Sequence, residues 1–158
     1  MTAILPYPLP YQGQFASNED GTRHLFALRV YYEDTDFSGV VYHARYLHFL
    51  ERARSDMLAL AGIGQRAAHE AGEGAYAITA MNIQFKQAAR FDDALLVIST
   101  VEKVRAAGVE IHQCIRRDDQ ILLTAQVHAA FVSPSGRARR QPQNWVAAYQ
   151  AIINGGEN

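Results

Sequence analysis

Apolar and polar positions divide the chain into stretches of different period. "HLFALRVYY", His24 to Tyr32, is β-branched, aromatic and apolar on both parities, which predicts a buried strand. In "HARYLHFLERARSDMLALAG" the residues Tyr46, Leu47, Leu50, Ala53, Met57, Leu58 and Ala61 recur at three- and four-residue spacing. Arg45, His48, Glu51, Arg52 and Asp56 fall mostly off that stripe. The pattern predicts a helix of roughly 28 Å at the usual rise per residue. Arg52 and Asp56 are spaced to pair one turn apart, and "GIG", Gly62 to Gly64, supplies the stop. A helix of that length with one apolar face predicts packing across a sheet.

From Ala75 onward the period changes to that of strands. "AYAITAMNIQFKQ" carries Tyr76, Ile78 and Ala80 on one parity and Met81, Ile83 and Phe85 on the other, so a bulge or bend is expected near Ala80. "ALLVISTVEKV", "VEIHQCIR" and "ILLTAQVHAAFVS" follow, joined through "RFDD", "RAAG" and "RDDQ", links that fit hairpins. In the last strand Ile121, Leu123, Ala125, Val127, Ala129 and Phe131 alternate with Thr124, Gln126 and His128. A short helix is expected after Pro142, with Trp145, Tyr149 and Ile152 on one side. Strand, long helix and antiparallel meander in that order define an α+β domain over residues 23–142. It is preceded by a flexible N-terminal extension, residues 1–22, and followed by a C-terminal helix and tail, residues 143–158.

Composition narrows the class. A chain of 158 residues with 49% hydrophobic and 20% charged residues fits one globular domain. A net charge of −1 provides no global field for nucleic acid or an anionic membrane. Apart from Lys86 and Lys103, every Lys/Arg position is arginine, which suits planar phosphate contacts. The single cysteine, Cys114, excludes an intramolecular disulfide framework and fits a reducing cytoplasm. No apolar run reaches the length of a membrane span. "MTAILPYPLPYQGQFASNEDG" lacks the basic and continuous apolar regions of a signal peptide.

Several motifs fall to simpler readings. "GIGQRA", Gly62 to Ala67, matches a dinucleotide fingerprint in form, but it follows a helix instead of a strand, so the glycines read as a helix stop. Ser38 in "DFSGV" has no triad behind it and reads as a turn former. His43 and His48 diverge around a helix, and His112 and His128 lack a companion ligand set, so no metal is expected. Cys114 reads as a packed strand residue, not a nucleophile.

"YEDTDFSGVVYH", Tyr32 to His43, resists that treatment. Glu33, Asp34 and Asp36 crowd together where repulsion opposes their ionisation, immediately before the long helix. A helix start presents unpaired N–H groups and partial positive charge, which stabilise an oxyanion formed at a carbonyl. A carboxylate on the preceding loop can then attack that carbonyl or activate water against it. The alternative is that Asp34 or Asp36 merely caps a turn or helix. Spacing alone puts the capping reading slightly ahead.

The stretch "RVYYEDTDFSGVVYHARYLHFLERAR", Arg29 to Arg54, resembles the signature of the hot-dog-fold acyl-CoA thioesterases. It is most similar to the family associated with the Tol-Pal envelope system, which is related to 4-hydroxybenzoyl-CoA thioesterase. "NIQFKQAARFDDALLVISTVEKV", Asn82 to Val104, resembles the second block of the same family, and the likeness runs from Leu25 to Pro142. The resemblance implies a long central helix wrapped by an antiparallel sheet, with Asp36 as the catalytic carboxylate. It implies that the backbone N–H near His43 polarises the thioester carbonyl, that Val41 and Tyr42 line the site, and that Asp34 and Glu33 are structural. Phe37 departs from the small residue usual after the aspartate, which implies a reshaped acyl pocket.

The expected reaction is hydrolysis of an acyl-CoA thioester in the cytoplasm, with Asp36 as nucleophile or general base. No cofactor is expected, CoA being part of the substrate. Arg90 and the Arg137 to Arg140 cluster are candidates for its phosphates. A strand apolar on both faces predicts a homo-oligomer, in this family a tetramer with sites between subunits, with contact to acyl-carrier protein also in view. No nucleic acid and no membrane insertion are expected. The rivals are a hot-dog hydratase or dehydratase, and a non-catalytic acyl-thioester-binding partner in envelope assembly.

Overall fold

A computed structural model describes residues 13–155. Two short strands, β1 (Gln14–Asn18) and β2 (Gly21–Arg29), form a hairpin in which Asn18 faces Gly21. A 3-10 turn at Tyr32–Asp34 and a tight loop lead into helix α1 (Arg45–Leu60), and a second short helix, α2 (Gln65–Glu70), follows. Strands β3 (Ala75–Phe85), β4 (Ala94–Arg105), β5 (Gly108–Arg117) and β6 (Gln120–Val132) come next, then α3 (Gln143–Ile153). All six strands join one antiparallel sheet in the order β1-β2-β4-β5-β6-β3.

The core lies between α1 and the sheet. Phe49, Leu50, Ala53, Met57 and Leu58 of α1 are buried against alternate residues of the strands, among them Phe26, Val97, Ile111, Ile115, Val127 and Phe131. Leu50 and Met57 are fully buried, so truncating either to alanine costs about 2–5 kcal/mol. A buried polar seam crosses beneath the helix. Gln113 of β5 donates to the Ser99 hydroxyl and to the Leu50 carbonyl, and accepts from Arg54. The helix ends at Gly62 (φ +78°), where Ile63 N–H reaches Leu58 O and Gly62 N–H reaches Ala59 O. A side chain at that left-handed position would be strained, which is why the sequence stops the helix there. The same geometry disposes of the dinucleotide reading of "GIGQRA".

Several expectations need correction. Residues 14–22, read as part of a flexible extension, form the outer hairpin of the sheet; residues 1–12 lie outside the described residues. The strand read as His24 to Tyr32 is β2, and it alternates. His24 and Phe26 are buried, Leu25 and Leu28 only partly so, and Ala27 is exposed. Helices α1 and α3 both pack against it, and it is covered on one face. The link through "RFDD" makes no hairpin: β3 pairs with β6 while β4 pairs with β2 and β5, so only β4 to β6 is a meander. On α1 the buried stripe includes Phe49 and omits Leu47, which stays exposed. Asp56 turns to His24 Nε2 at 2.7 Å rather than to Arg52. The expected bulge is present, with the β3–β6 register shifting between Ile78 and Ala80.

Candidate active site

Two aspartates two residues apart occupy unlike surroundings. The 3-10 turn folds Asp34 inward, where it is 4% exposed. Its carboxylate accepts the Tyr31 N–H at 2.7 Å and the Arg45 Nε–H at 2.6 Å, and its carbonyl accepts the Tyr42 N–H at 2.9 Å. Asp34 thus closes its own turn on Tyr31 and holds it to Tyr42 and to Arg45, the first residue of α1. Glu33 is exposed, and its Oε1 lies 3.6 Å from Arg45 Nη2.

Asp36 stands at the tip of the next turn. Its N–H donates to Val40 O and its own carbonyl accepts from Gly39 N–H, both at 3.0 Å. Gly39 has φ +85°, so the turn needs a glycine there. The carboxylate Oδ1 accepts the Ser38 N–H at 2.8 Å and the Ser38 hydroxyl as well. Oδ2 has no protein donor among the described residues. The Ser38 hydroxyl first, then its N–H, hold the Asp36 carboxyl below the usual carboxylate range against a smaller desolvation effect, and nearby His43 adds to this. The result is an ionised carboxylate with one oxygen anchored and the other available. Ser38 therefore does more than form a turn.

The helix start completes the arrangement. Tyr42 N–H is taken by Asp34 O and Arg45 N–H by Tyr42 O, but the N–H groups of His43 and Ala44 meet no protein acceptor among the described residues. They sit at the positive end of α1, where a developing negative oxygen is stabilised. The His43 ring packs edge-on between Tyr42 and Phe85, with centroids 4.7 and 6.5 Å away. Phe85 ends β3, so the edge strand closes this side of the loop. Tyr46 is fixed by accepting the Ala89 N–H at 2.9 Å and by its contact with Phe85.

Of the predicted site residues, Asp36, Tyr42 and His43 come together here. Val41 is 3% exposed, and its side chain belongs to the core while its N–H binds Ala89 O. Phe37 projects fully into solvent. Arg90 pairs through its backbone with Val40, beside the Asp36 turn. The Arg137 to Arg140 segment instead adjoins Val132, the opposite end of β6 from Leu123, which faces Phe85; about 30 Å of strand separates the two. Phe85 was not picked out from the sequence as a site residue. Its parity with Ile83 beyond the bulge was the available signal.

These features place a carboxylate, two unaccepted N–H groups and an aromatic wall at the start of the central helix of a hot-dog α+β fold. A profile of the thioesterase superfamily matches residues 38–124, and the chain belongs to that superfamily. The acyl-CoA thioesterase YbgC of Haemophilus influenzae is 42% identical over 107 residues, covering 68% of this chain and 79% of that protein. The acyl-CoA thioester hydrolase YbgC of Escherichia coli is 36% identical over 125 residues, covering 78% and 92%. A crystal structure of a probable thioesterase from Bartonella henselae is similar with a TM-score of 0.71 at 36% identity, covering 76% of this chain and 99% of that one.

Proposed function

We propose that the protein hydrolyses acyl-CoA thioesters, with Asp36 as the reacting carboxylate and the His43 and Ala44 N–H groups as the oxyanion site. The observation that carries this is the pairing of an ionised, half-anchored Asp36 with unaccepted helix-start N–H groups. The thioester carbonyl oxygen binds the two N–H groups. Asp36 Oδ2 then either attacks the carbonyl carbon, giving a mixed anhydride that water opens, or takes a proton from the attacking water. Either route expels CoA thiolate and leaves the free acid. One carboxylate suffices because a thioester is weakly resonance-stabilised and its thiolate leaves readily.

Arg90, and Lys86 just beyond Phe85, suit the CoA phosphates, being exposed cations at the site's end of the sheet. A homo-oligomer, a tetramer of paired dimers, is supported by the free edge of β3, where Ile78 and Phe85 are about half-exposed. The buried-strand motive from β2 no longer applies. A cytoplasmic setting is supported by the lone thiol, and no helix among the described residues is long and apolar enough to cross a membrane. Contact with acyl-carrier protein would present the same thioester to the same groups.

The test is release of free thiol from a panel of acyl-CoAs, acetyl to palmitoyl and aromatic, by wild type and Asp36→Asn. Thiol release that depends on Asp36 supports the reading. A hydratase or a non-catalytic binding partner releases none, and that result would sink it.

A further inference from the structure

The backbone beneath Asp36 is tied on both sides. Thr35 bridges Val41, Asp36 N–H donates to Val40 O, and Gly39 N–H returns to Asp36 O. Val40 in turn bridges Arg90, and Val41 N–H donates to the carbonyl of Ala89, whose own N–H donates to the Tyr46 hydroxyl on α1. The freedom that remains is rotation about χ1 and χ2 of a partly exposed side chain.

Two donors from Ser38 restrict that rotation, and they differ in kind. The Ser38 N–H, 2.8 Å from Asp36 Oδ1, is a backbone group that any residue except proline would supply at this place in the turn. The Ser38 hydroxyl, which donates to the same oxygen, comes from the choice of side chain. A carboxylate oxygen has two in-plane lone pairs, so two donors fill Oδ1 and leave Oδ2 as the reacting oxygen. Asp34, two residues earlier, is the contrast, because both of its oxygens are bonded. Ser38 is exposed, and its hydroxyl makes no other hydrogen bond among the described residues. The turn is already closed by its backbone bonds and by Gly39, so neither packing nor turn formation accounts for that hydroxyl.

We propose that Ser38 is a positioning residue: its hydroxyl holds Asp36 in the rotamer that presents Oδ2 to a thioester carbonyl bound at the helix start. The inference rests on the thioesterase reading and deepens it at the same site. The bond has an opposing effect, since it stabilises the charged carboxylate and makes it a weaker base and nucleophile. Only a fraction of such a change in basicity is felt in the rate. Misplacing a reacting group by about 1 Å can cost about 100-fold. Orientation therefore outweighs basicity, and removing the hydroxyl should slow the enzyme.

The test measures kcat and KM for thiol release at pH 7 in Ser38→Ala, Ser38→Thr, Asp36→Asn and the Ser38→Ala/Asp36→Asn pair. Asp36 is ionised at that pH with or without the hydroxyl, so kcat reads orientation and not charge. Ser38→Ala keeps the N–H anchor, so kcat should fall by about 3- to 30-fold, short of full misplacement. KM should hold, because Ser38 hydrogen-bonds only to Asp36 among the described residues. Ser38→Thr restores a hydroxyl at an exposed position outside the left-handed region and should recover most of the rate. In Ser38→Ala the acid limb of kcat/KM should move up toward the ordinary 3.8. In the Asp36→Asn background Ser38→Ala should cost nothing further, since no carboxylate is left to aim; a merely structural role would lower both backgrounds alike. An unchanged or raised kcat in Ser38→Ala, an equal loss in the Asp36→Asn background, or a loss that threonine does not restore overturns the inference and leaves Asp36-dependent hydrolysis standing. No thiol release by wild type from any acyl-CoA, or undiminished release by Asp36→Asn, removes the underlying reading of the site and this inference together.

Discussion

Replacing Asp34 and Asp36 separately by asparagine should break two different properties. Asp34 is 4% exposed and accepts two N–H groups on two oxygens, at 2.6 and 2.7 Å. An asparagine there must aim its NH₂ at either the Tyr31 N–H or the Arg45 guanidinium, a donor facing a donor. Breaking a buried charge pair costs about 3–5 kcal/mol, and an unsatisfied buried donor alone about 1–3. The Arg45 side chain is 24% exposed and can recover some hydration, so roughly 2–3 kcal/mol is expected. For a chain of this size that is a fall in Tm of roughly 4–12 °C. Turnover per folded molecule should change little. Asp36→Asn keeps an oxygen for Ser38 and stands at a loop tip, so its Tm should stay within about 2 °C of wild type. Its turnover should fall on the order of 10²–10⁴-fold, because the charge that attacks or takes the proton is gone. Thiol-release assays and thermal melts on both variants decide it. A folded Asp36→Asn enzyme with near wild-type rates, or an Asp34→Asn enzyme that loses turnover with unchanged Tm, would refute the assignment.

Because Ser38 holds the Asp36 pKa below its ordinary 3.8, kcat/KM should lose activity only as pH falls below that value; an acid limb centred at pH 5 or above would contradict this. His24 is fully buried, and desolvation, stronger than its bond and attraction to Asp56, lowers its pKa from 6.5. The unfolded chain takes that proton first, so stability should be full above about pH 6.5 and decline as pH falls from there toward the lower folded value. Melts from pH 8 to 5 should show this slope, and it should be reduced in His24→Phe. A Cβ at Gly13 would meet Asp56 Oδ2 at 2.4 Å and His24 Nε2 at 2.5 Å. Gly13→Ala should therefore destabilise by about 1–3 kcal/mol, and an unchanged denaturation midpoint would show that β1 yields easily. EDTA should leave turnover intact; loss of activity restored by zinc would expose a metal role for the histidines.

Much of the fold was legible because its signals are local. The glycine stop after Ala61 and the parity switch at the β3 bulge are each decided within a few residues. Placement within the sheet was not legible. The link 86–93 ends in "RFDD", whose aspartates fit a hairpin turn, yet β3 pairs with β6, a partner that follows it by more than thirty residues. Strand β1, QFASN, carries little apolar pattern because it is an edge strand with mostly exposed side chains; its order comes from pairing with β2. The α1 stripe was misjudged at Leu47 and Phe49 because α1 sits toward β2 and β4, which buries Phe49 and leaves Leu47 exposed.

The site was legible as a stretch but not as a division of labour. "EDTD" offers three carboxylates with no local rule for ranking them, and only the resemblance favoured Asp36. One sequence signal was available and unused. Arg45 occupies the first residue of α1, where the helix dipole disfavours a cation. A basic residue at that position implies a carboxylate holding it, and Asp34 is that carboxylate. Once Asp34, and more loosely Glu33, are drawn to Arg45, the acid left on the loop without a cation is Asp36.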